Sequence, residues 1–343
     1  MQSKVSLIVP VYNEAGAIEP FVSAVEAIAP TLDADLDIIF IDDGSRDTTC
    51  DEIIATAKTH AIPIQLLALS RNFGKEAAIT AGIDAAAGDA VIPIDVDLQH
   101  PPEIIPQFIE EWRRGAKVVY GKRLDRDAET WLKRMTSRVF YRVFNALSQS
   151  DIPPDASDFR LLDRSVVAAL ANYRERTRFM KGLFSAVGFK TAPVAYEVPA
   201  RRVGATKWNY WRLWNFALDG IFSFSTVPIR VWTYVGALIA GLSLLYALWI
   251  VATTLIFGLD VPGYASLITA ILFMGGIQLI SLGIIGEYIA RIFLETKQRP
   301  IYTIDPSRSV IKQTGVGEPL DGVSSTPPTA RGTASPATSP APH

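Results

Sequence analysis

Up to about residue 200, short apolar runs alternate with stretches whose apolar positions recur every three or four residues. "VSLIVPV", "DIIFID", "IQLLALS", "AVIPIDVD" and "KVVYG" are continuous enough to predict strands buried on both faces. Between the first two, Ile18, Phe21, Val22, Val25 and Ile28 fall at helical spacing, with Asn13 as an early cap. Strand, helix, strand alternation predicts an α/β domain over residues 1–200, a mainly parallel Rossmann-like sheet covered by helices. Pro93 lies inside the fourth run and cannot donate a ladder hydrogen bond, so an irregularity or an unpaired side is expected there.

The pattern then changes. Val231 to Phe257 and Tyr264 to Gly286 contain no Asp, Glu, Lys or Arg, and each exceeds the roughly 20 residues that cross a bilayer as a helix. They predict a hairpin of two membrane spans, 231–257 and 264–290. A hairpin buried in a soluble protein is the other reading, and it needs a further large apolar domain to cover it. The link "GLDVPG" carries no positive charge, whereas Arg230 precedes the first span and Arg291, Lys297 and Arg299 follow the second. The positive-inside rule places the link outside and both long arms in the cytoplasm, as expected of an inner-membrane protein. Gly236 with Ala240, and Ala237 with Gly241, have a small-residue spacing compatible with close helix packing or a homo-oligomer.

Residues 201–230 interleave Trp208, Tyr210, Trp211, Trp214 and Phe216 with Arg201, Arg202, Lys207 and Arg212. Aromatic bodies with cationic heads suit a lipid headgroup layer, which predicts interfacial helices; a core helix is the alternative. Residues 291–312 are expected to be a cytoplasmic juxtamembrane segment. Residues 313–343, rich in Pro, Ser, Thr, Gly and Ala, lack the apolar content to offset the entropy of ordering and are expected to be a disordered tail.

Composition narrows the partners. The chain has 343 residues, 49% of them hydrophobic, and its 33 Lys plus Arg against 35 Asp plus Glu leave a formal charge of -2. That balance argues against a generally basic nucleic-acid surface. Cys50 is the only cysteine, which excludes an intrachain disulfide and a cysteine-rich metal site and fits a reducing compartment. The N-terminal apolar run is too short and too quickly interrupted for a signal peptide.

Three predicted strands end in polar groups: "VPVYNE", "IDDGSRD" and "IDVDLQ". Parallel sheets bind ligands at this edge. Asp43 suits a nucleobase or ribose and Tyr12 a stacked base, while Gly44 and Ser45 suit a turn and a helix cap. Asp95 and Asp97 form a pair that either holds a hard divalent cation or solvates a strand end, and the local pattern does not decide. On an extended segment they point to opposite sides, so a turn beginning after Asp97 is needed to bring them to one metal, with Gln99 adding an amide oxygen. His100, beside two prolines, suits packing better than ligation. Arg71 and Lys75, in "SRNFGKEAAITAG", suit phosphate or ordinary surface charge, with Gly88 as a stop for the helix that follows.

"VPVYNE", "DDGSRD", "RNFGKEAAITAG", "GDAVIPIDVDLQHPPE", "SDFRLLDR", "GATKW", "DGIFSFSTVPIR" and "GIIGEYIARIFLETKQRP", in this order, resemble a membrane-anchored polyisoprenyl-phosphate glycosyltransferase of glycosyltransferase family 2. Bactoprenol glucosyltransferases and dolichyl-phosphate mannose synthases belong to this group. The resemblance implies a GT-A fold, a nucleotide-sugar donor, Mg²⁺ or Mn²⁺, a lipid phosphate acceptor and inversion at the anomeric carbon. It implies that Pro10, Tyr12, Glu14 and Asp43 hold the nucleoside, with Asp95, Asp97 and Gln99 around the metal and diphosphate. Arg123, Arg201 and Lys207 would contact the diphosphate or the acceptor phosphate, and Arg134 and Ser137 the acceptor phosphate. Asp158 in "SDFR" matches the position of a catalytic base, beside Asp97 at the metal; a carboxylate paired with Arg160 is the plainer reading. His100 stands where the family often has Asp or Asn, and Val96 where it often has Ala.

The branch with a two-span hairpin implies glucose transfer from UDP-glucose to undecaprenyl phosphate. GDP-mannose or another UDP-sugar would use the same groups. A non-catalytic nucleotide-sugar-binding membrane protein is the reading from another class, and a processive synthase lacks support because the chain has no Q-x-x-R-W motif or additional spans.

Overall fold

The computed structural model describes residues 2–123, 156–173, 175–176, 178, 180–196, 227–257 and 263–310. All the expected strands form: β1 (Ser3–Val11), β2 (Ala34–Asp42), β3 (Ile64–Ala68), β4 (Ala90–Pro93) and β5 (Val118–Arg123). Two more, β6 (Ala156–Asp163) and β7 (Thr191–Tyr196), complete a sheet of order β3-β2-β1-β4-β6-β5-β7. Neighbours pair in parallel except at β6, which runs antiparallel to both β4 and β5. The expected mainly parallel α/β sheet of GT-A type is the one observed.

Alternation along each strand divides the core in two. Leu7, Val9, Ile38 and Phe40 face α1 (Ile18–Ile28), α2 (Thr49–Thr59) and a short helix bearing Ile105 and Phe108. Ile8, Ile39 and Ile41 face α3 (Lys75–Ala85), where Ala78, Ile79 and Ala81 keep the helix close to the sheet. The short helix is α4 (Ile105–Arg113); α5 (Arg164–Leu170) and α6 (Met180–Ala186) share the α3 face. Each fully buried Ile, Leu or Phe contributes about 1.5–3 kcal/mol relative to exposure, so these two layers fix where the strand ends lie.

Several local expectations are corrected. The fourth strand stops at Pro93 instead of running to Asp97. Ile94 donates to the Ile8 carbonyl at 3.0 Å, so the nitrogen of Pro93, one residue earlier, faces the β6 side. There the β4–β6 register extends only from Ala90 to Val91. The missing donor therefore falls past the ladder, as a strand proline requires. Asn13 does not cap α1, which starts after Ala17. It adopts a positive φ of 52°, and its Oδ1 accepts the Arg46 N–H at 2.9 Å. Ser45 likewise caps nothing: α2 starts after Thr48, and Ser45 Oγ accepts the Asn13 N–H at 2.9 Å. Parallel neighbours bring their terminal loops side by side, so these short polar side chains bond across loops rather than along the chain.

Helices α7 (Val227–Phe257) and α8 (Tyr264–Thr296) have 31 and 33 residues. At 1.5 Å per residue each exceeds the roughly 30 Å hydrocarbon layer. Their apolar side chains point outward, Tyr234 being 74%, Leu279 72% and Leu255 81% exposed, as expected of surface meant for lipid. Residues 301–310 return to the sheet and lie antiparallel to β3: Leu66 donates to the Val310 carbonyl at 2.8 Å and Val310 to the Leu66 carbonyl at 2.9 Å. This return segment covers part of an otherwise open sheet edge. The aromatic segment 201–226 and the tail 313–343 lie outside the described residues.

Candidate active site

The carboxyl ends of β1, β2 and β4 are adjacent, and the polar residues that follow them meet at one edge. Pro10 pairs with Ile41 and Val11 with Asp42, so "YNE" and "DDGS" emerge at the same level. Tyr12 is 42% exposed, which leaves its ring available for stacking. The Glu14 N–H donates to Thr49 Oγ1 at 3.0 Å, tying this loop to the start of α2.

Asp43 is buried, and its two oxygens accept the Phe73 and Gly74 N–H groups at 2.7 and 2.9 Å. It thereby clamps the "RNFG" loop at the N-terminus of α3, a role the sequence did not reveal. Burial raises its carboxyl above the ordinary value; the two N–H groups oppose that shift. A carboxylate has about four acceptor sites, so capacity for a nucleoside remains.

After β4 the chain turns at Val96 and Asp97, earlier than expected, and Leu98 takes a φ of 56°. This turn is what carries Asp97 off the line of the strand. Asp97 is exposed and its Oδ1 accepts the Gln99 N–H at 3.1 Å. Asp95 is held by Lys75, whose Nζ lies 2.6 Å from Oδ1 and 2.8 Å from Oδ2. His100 is 4% exposed, stacks on Phe159 with ring centroids 5.2 Å apart, and brings Nδ1 to 4.0 Å from Asp95. It is a packing residue that backs the acidic turn. Arg71 stacks over the Phe73 ring at 4.0 Å.

Pro10, Lys75, Asp95, His100 and Asp158 line one small pocket. Asp158 reaches it from β6, and its partner is Lys181 of α6, at 3.7 Å, rather than Arg160. Burial alone would raise the Asp158 carboxyl, but Lys181, Lys75 and Arg160 together lower it below its ordinary value. Glu76 is the opposite case: burial, then the charge of Asp158, pushes it up to about 7. Neither Lys181 nor Glu76 was singled out from the sequence, because their nearness to Asp158 arises only when α3 and α6 pack on the same face as β6. Arg123 ends β5, while Arg134, Ser137, Arg201 and Lys207 lie outside the described residues.

The Glu76 environment has a measurable consequence. Its folded pKa lies above the unfolded value of 4.5, so its contribution to stability is fully present below pH 4.5 and is lost as pH rises through 7. Denaturant unfolding of the full chain is expected to show a loss on the order of 1–3 kcal/mol between about pH 5 and pH 8. Glu76→Gln removes most of that slope; equal slopes in both proteins contradict the assignment.

Residues 6–170 match Glycosyl transferase family 2, and residues 227–292 match the GtrB C-terminal hairpin. An uncharacterized glycosyltransferase of Synechocystis is 49% identical over 304 residues, 89% of this chain and 95% of that protein. The chain belongs to glycosyltransferase family 2, in the branch that carries this hairpin. An SfII prophage-derived bactoprenol glucosyl transferase of Shigella flexneri is 49% identical over 304 residues, covering 89% of this chain and 98% of its own length. A prophage bactoprenol glucosyl transferase homolog of Escherichia coli is 48% identical over 301 residues, covering 88% and 98%. Among solved structures, glucosyl-3-phosphoglycerate synthase from Mycobacterium tuberculosis aligns with a TM-score of 0.43 at 20% identity, over 64% of this chain and 78% of that one.

In this glycosyltransferase, no group of three His, Cys, Asp or Glu side chains converges as a metal site among the described residues. The donor set still suits Mg²⁺ or Mn²⁺, which is commonly held by one or two carboxylates with substrate phosphates completing the shell. Asp95 already pairs with one cation, the Lys75 ammonium.

Proposed function

We propose that this chain transfers one hexose, glucose from UDP-glucose, to a polyprenyl phosphate at the cytoplasmic face of the membrane, with inversion. The observation that carries the reading is the identity of about 49% to proteins named bactoprenol glucosyl transferase, over 88–89% of the chain. In this reading Tyr12, Glu14 and Asp43 with Pro10 hold the nucleoside. Asp95, Asp97 and Gln99 would hold Mg²⁺ or Mn²⁺, whose charge stabilises the leaving diphosphate.

An oxygen of the lipid phosphate forms the new bond to the anomeric carbon, the bond from that carbon to the donor's diphosphate oxygen breaks, and the nucleoside diphosphate departs. A phosphomonoester has a second pKa of about 6, so the acceptor is largely dianionic at neutral pH and needs no proton removed. Asp158, held ionised by Lys181, Lys75 and Arg160, then serves to orient the sugar's hydroxyls rather than as a base. Lys75, at the mouth of the pocket, supplies preorganised positive charge where the leaving group gains negative charge. Arg123, Arg134, Ser137, Arg201 and Lys207 complete the phosphate contacts in this proposal.

The test is a lipid-extraction assay on the full chain in detergent with Mg²⁺ or Mn²⁺, polyprenyl phosphate and radiolabelled sugar nucleotides. One glucose per lipid from UDP-glucose is expected, at a rate nearly flat across neutral pH if Asp158 only orients. Product from GDP-mannose instead overturns the donor, a glycan ladder overturns single transfer, and nucleotide binding without any lipid product overturns the enzyme.

A further inference from the structure

The segment that returns from the membrane hairpin reaches the candidate nucleotide site. Asp305-Pro306-Ser307-Arg308 forms a turn of the kind favoured by Asp at its first position and Pro at its second. Asp305 Oδ1 accepts the Ser307 N–H and hydroxyl at 3.0 and 2.6 Å, and the Asp305 carbonyl accepts the Ser309 hydroxyl at 2.8 Å. The turn is anchored on both sides. Asp305 donates to the Ala68 carbonyl at 2.8 Å, Ser70 donates to the Thr303 carbonyl at 2.9 Å, and the Tyr302 hydroxyl donates to Asp84 at 2.8 Å.

So held, Arg308 extends Nη2 to Asp42 Oδ2, to the Ser45 carbonyl and to Cys50 Sγ, each at 3.3 Å. The Asp42 side chain is fully buried, whereas Arg308 is 39% exposed. A buried carboxylate is costly unless it is paired and hydrogen-bonded. Asp42 satisfies this with the Ser45 N–H, at 3.1 and 3.2 Å, and with Arg308. Ser45 in turn accepts the Asn13 N–H, which orders the loop bearing Tyr12 and Glu14. A single guanidinium thus braces both loops assigned to the nucleoside, from a residue that follows the membrane helices in sequence.

We infer that Arg308 is a positioning residue of the donor site, and that the 301–310 segment couples the membrane hairpin to nucleotide binding. This rests on the nucleoside assignment made above. Arg308 touches neither donor nor acceptor in this scheme; it fixes the Asp42–Ser45 turn on which the nucleoside loops are built.

The test uses the full chain in detergent and isothermal titration with UDP and, separately, GDP, alongside steady-state kinetics for the sugar nucleotide. Arg308→Ala is expected to weaken nucleotide binding and raise KM by about tenfold, the scale of one charge-assisted hydrogen bond, with kcat within about twofold. Arg308→Lys is expected to recover much of the affinity, since the ammonium restores charge to Asp42. Because Arg308→Ala strands a buried carboxylate, the double variant Asp42→Asn with Arg308→Ala serves as a folded control, and it should remain weak in nucleotide binding. Wild-type affinity in the folded double variant, or a drop in kcat with unchanged KM, overturns the inference. If the wild-type chain binds neither UDP nor GDP, the nucleoside assignment itself fails and this inference falls with it.

Discussion

Asp95→Ala is expected to reduce sugar transfer to lipid by about two to three orders of magnitude, the rate equivalent of the several kcal/mol a bound cation contributes to charge stabilisation. The fold should survive. Asp95 is paired with Lys75, whose side chain is 45% exposed, and a pair of this exposure contributes at most about 1 kcal/mol. Lipid extraction and thermal melts on the same preparation separate the two effects. Near wild-type transfer in a folded Asp95→Ala protein would exclude this carboxylate from the chemistry, whereas loss of both activity and cooperativity would place it in the fold. Lys75→Ala provides the complement: removing the ammonium frees Asp95, so Mn²⁺ binding followed by electron paramagnetic resonance should tighten even where transfer falls.

The second large effect concerns the backbone under the site. Gly44 has a φ of +74°, and a Cβ built there meets the Arg71 carbonyl carbon at 2.6 Å and the Asn72 nitrogen at 2.7 Å. Both are backbone atoms of the loop that Asp43 clamps, so neither yields by a rotamer change. Gly44→Ala therefore combines a left-handed backbone with a collision and should cost about 3 kcal/mol or more. Gly16→Ala is the control: its φ is +83°, but nothing lies within 4 Å, so only the backbone term of about 1 kcal/mol remains. Equal denaturation midpoints for the two variants would show that the loops separate easily and that the close approach is not a structural requirement.

These expectations draw unequally on the sequence. The strands "VSLIVPV", "DIIFID" and "KVVYG" were legible because burial on both faces demands an unbroken apolar run. The hairpin was legible because lipid tolerates almost no charge over a whole span. β6 was not anticipated as a strand: in "DFRLLD" the apolar run is interrupted by Asp158, which pairs with Lys181, and by Arg160, which stacks over the Phe184 ring, and these charges hide the usual signal. The early turn at Val96 and Asp97 was also hidden, since Leu98 gives no local warning of its positive φ.

The sequence by itself determined the class of the fold, the identity of the strand-end carboxylates and the two membrane-length helices. Each follows from local pattern, and local pattern is set by periodicity and burial. Tertiary structure alone decided that Lys75 sits on Asp95, that Lys181 rather than Arg160 faces Asp158, and that Asp43 holds the α3 loop. It also decided that Arg308, 266 positions after Asp42, pairs with that buried carboxylate. Such pairings depend on which elements pack on a common face, and a buried charge takes whatever partner the packed chain delivers, near or far in sequence.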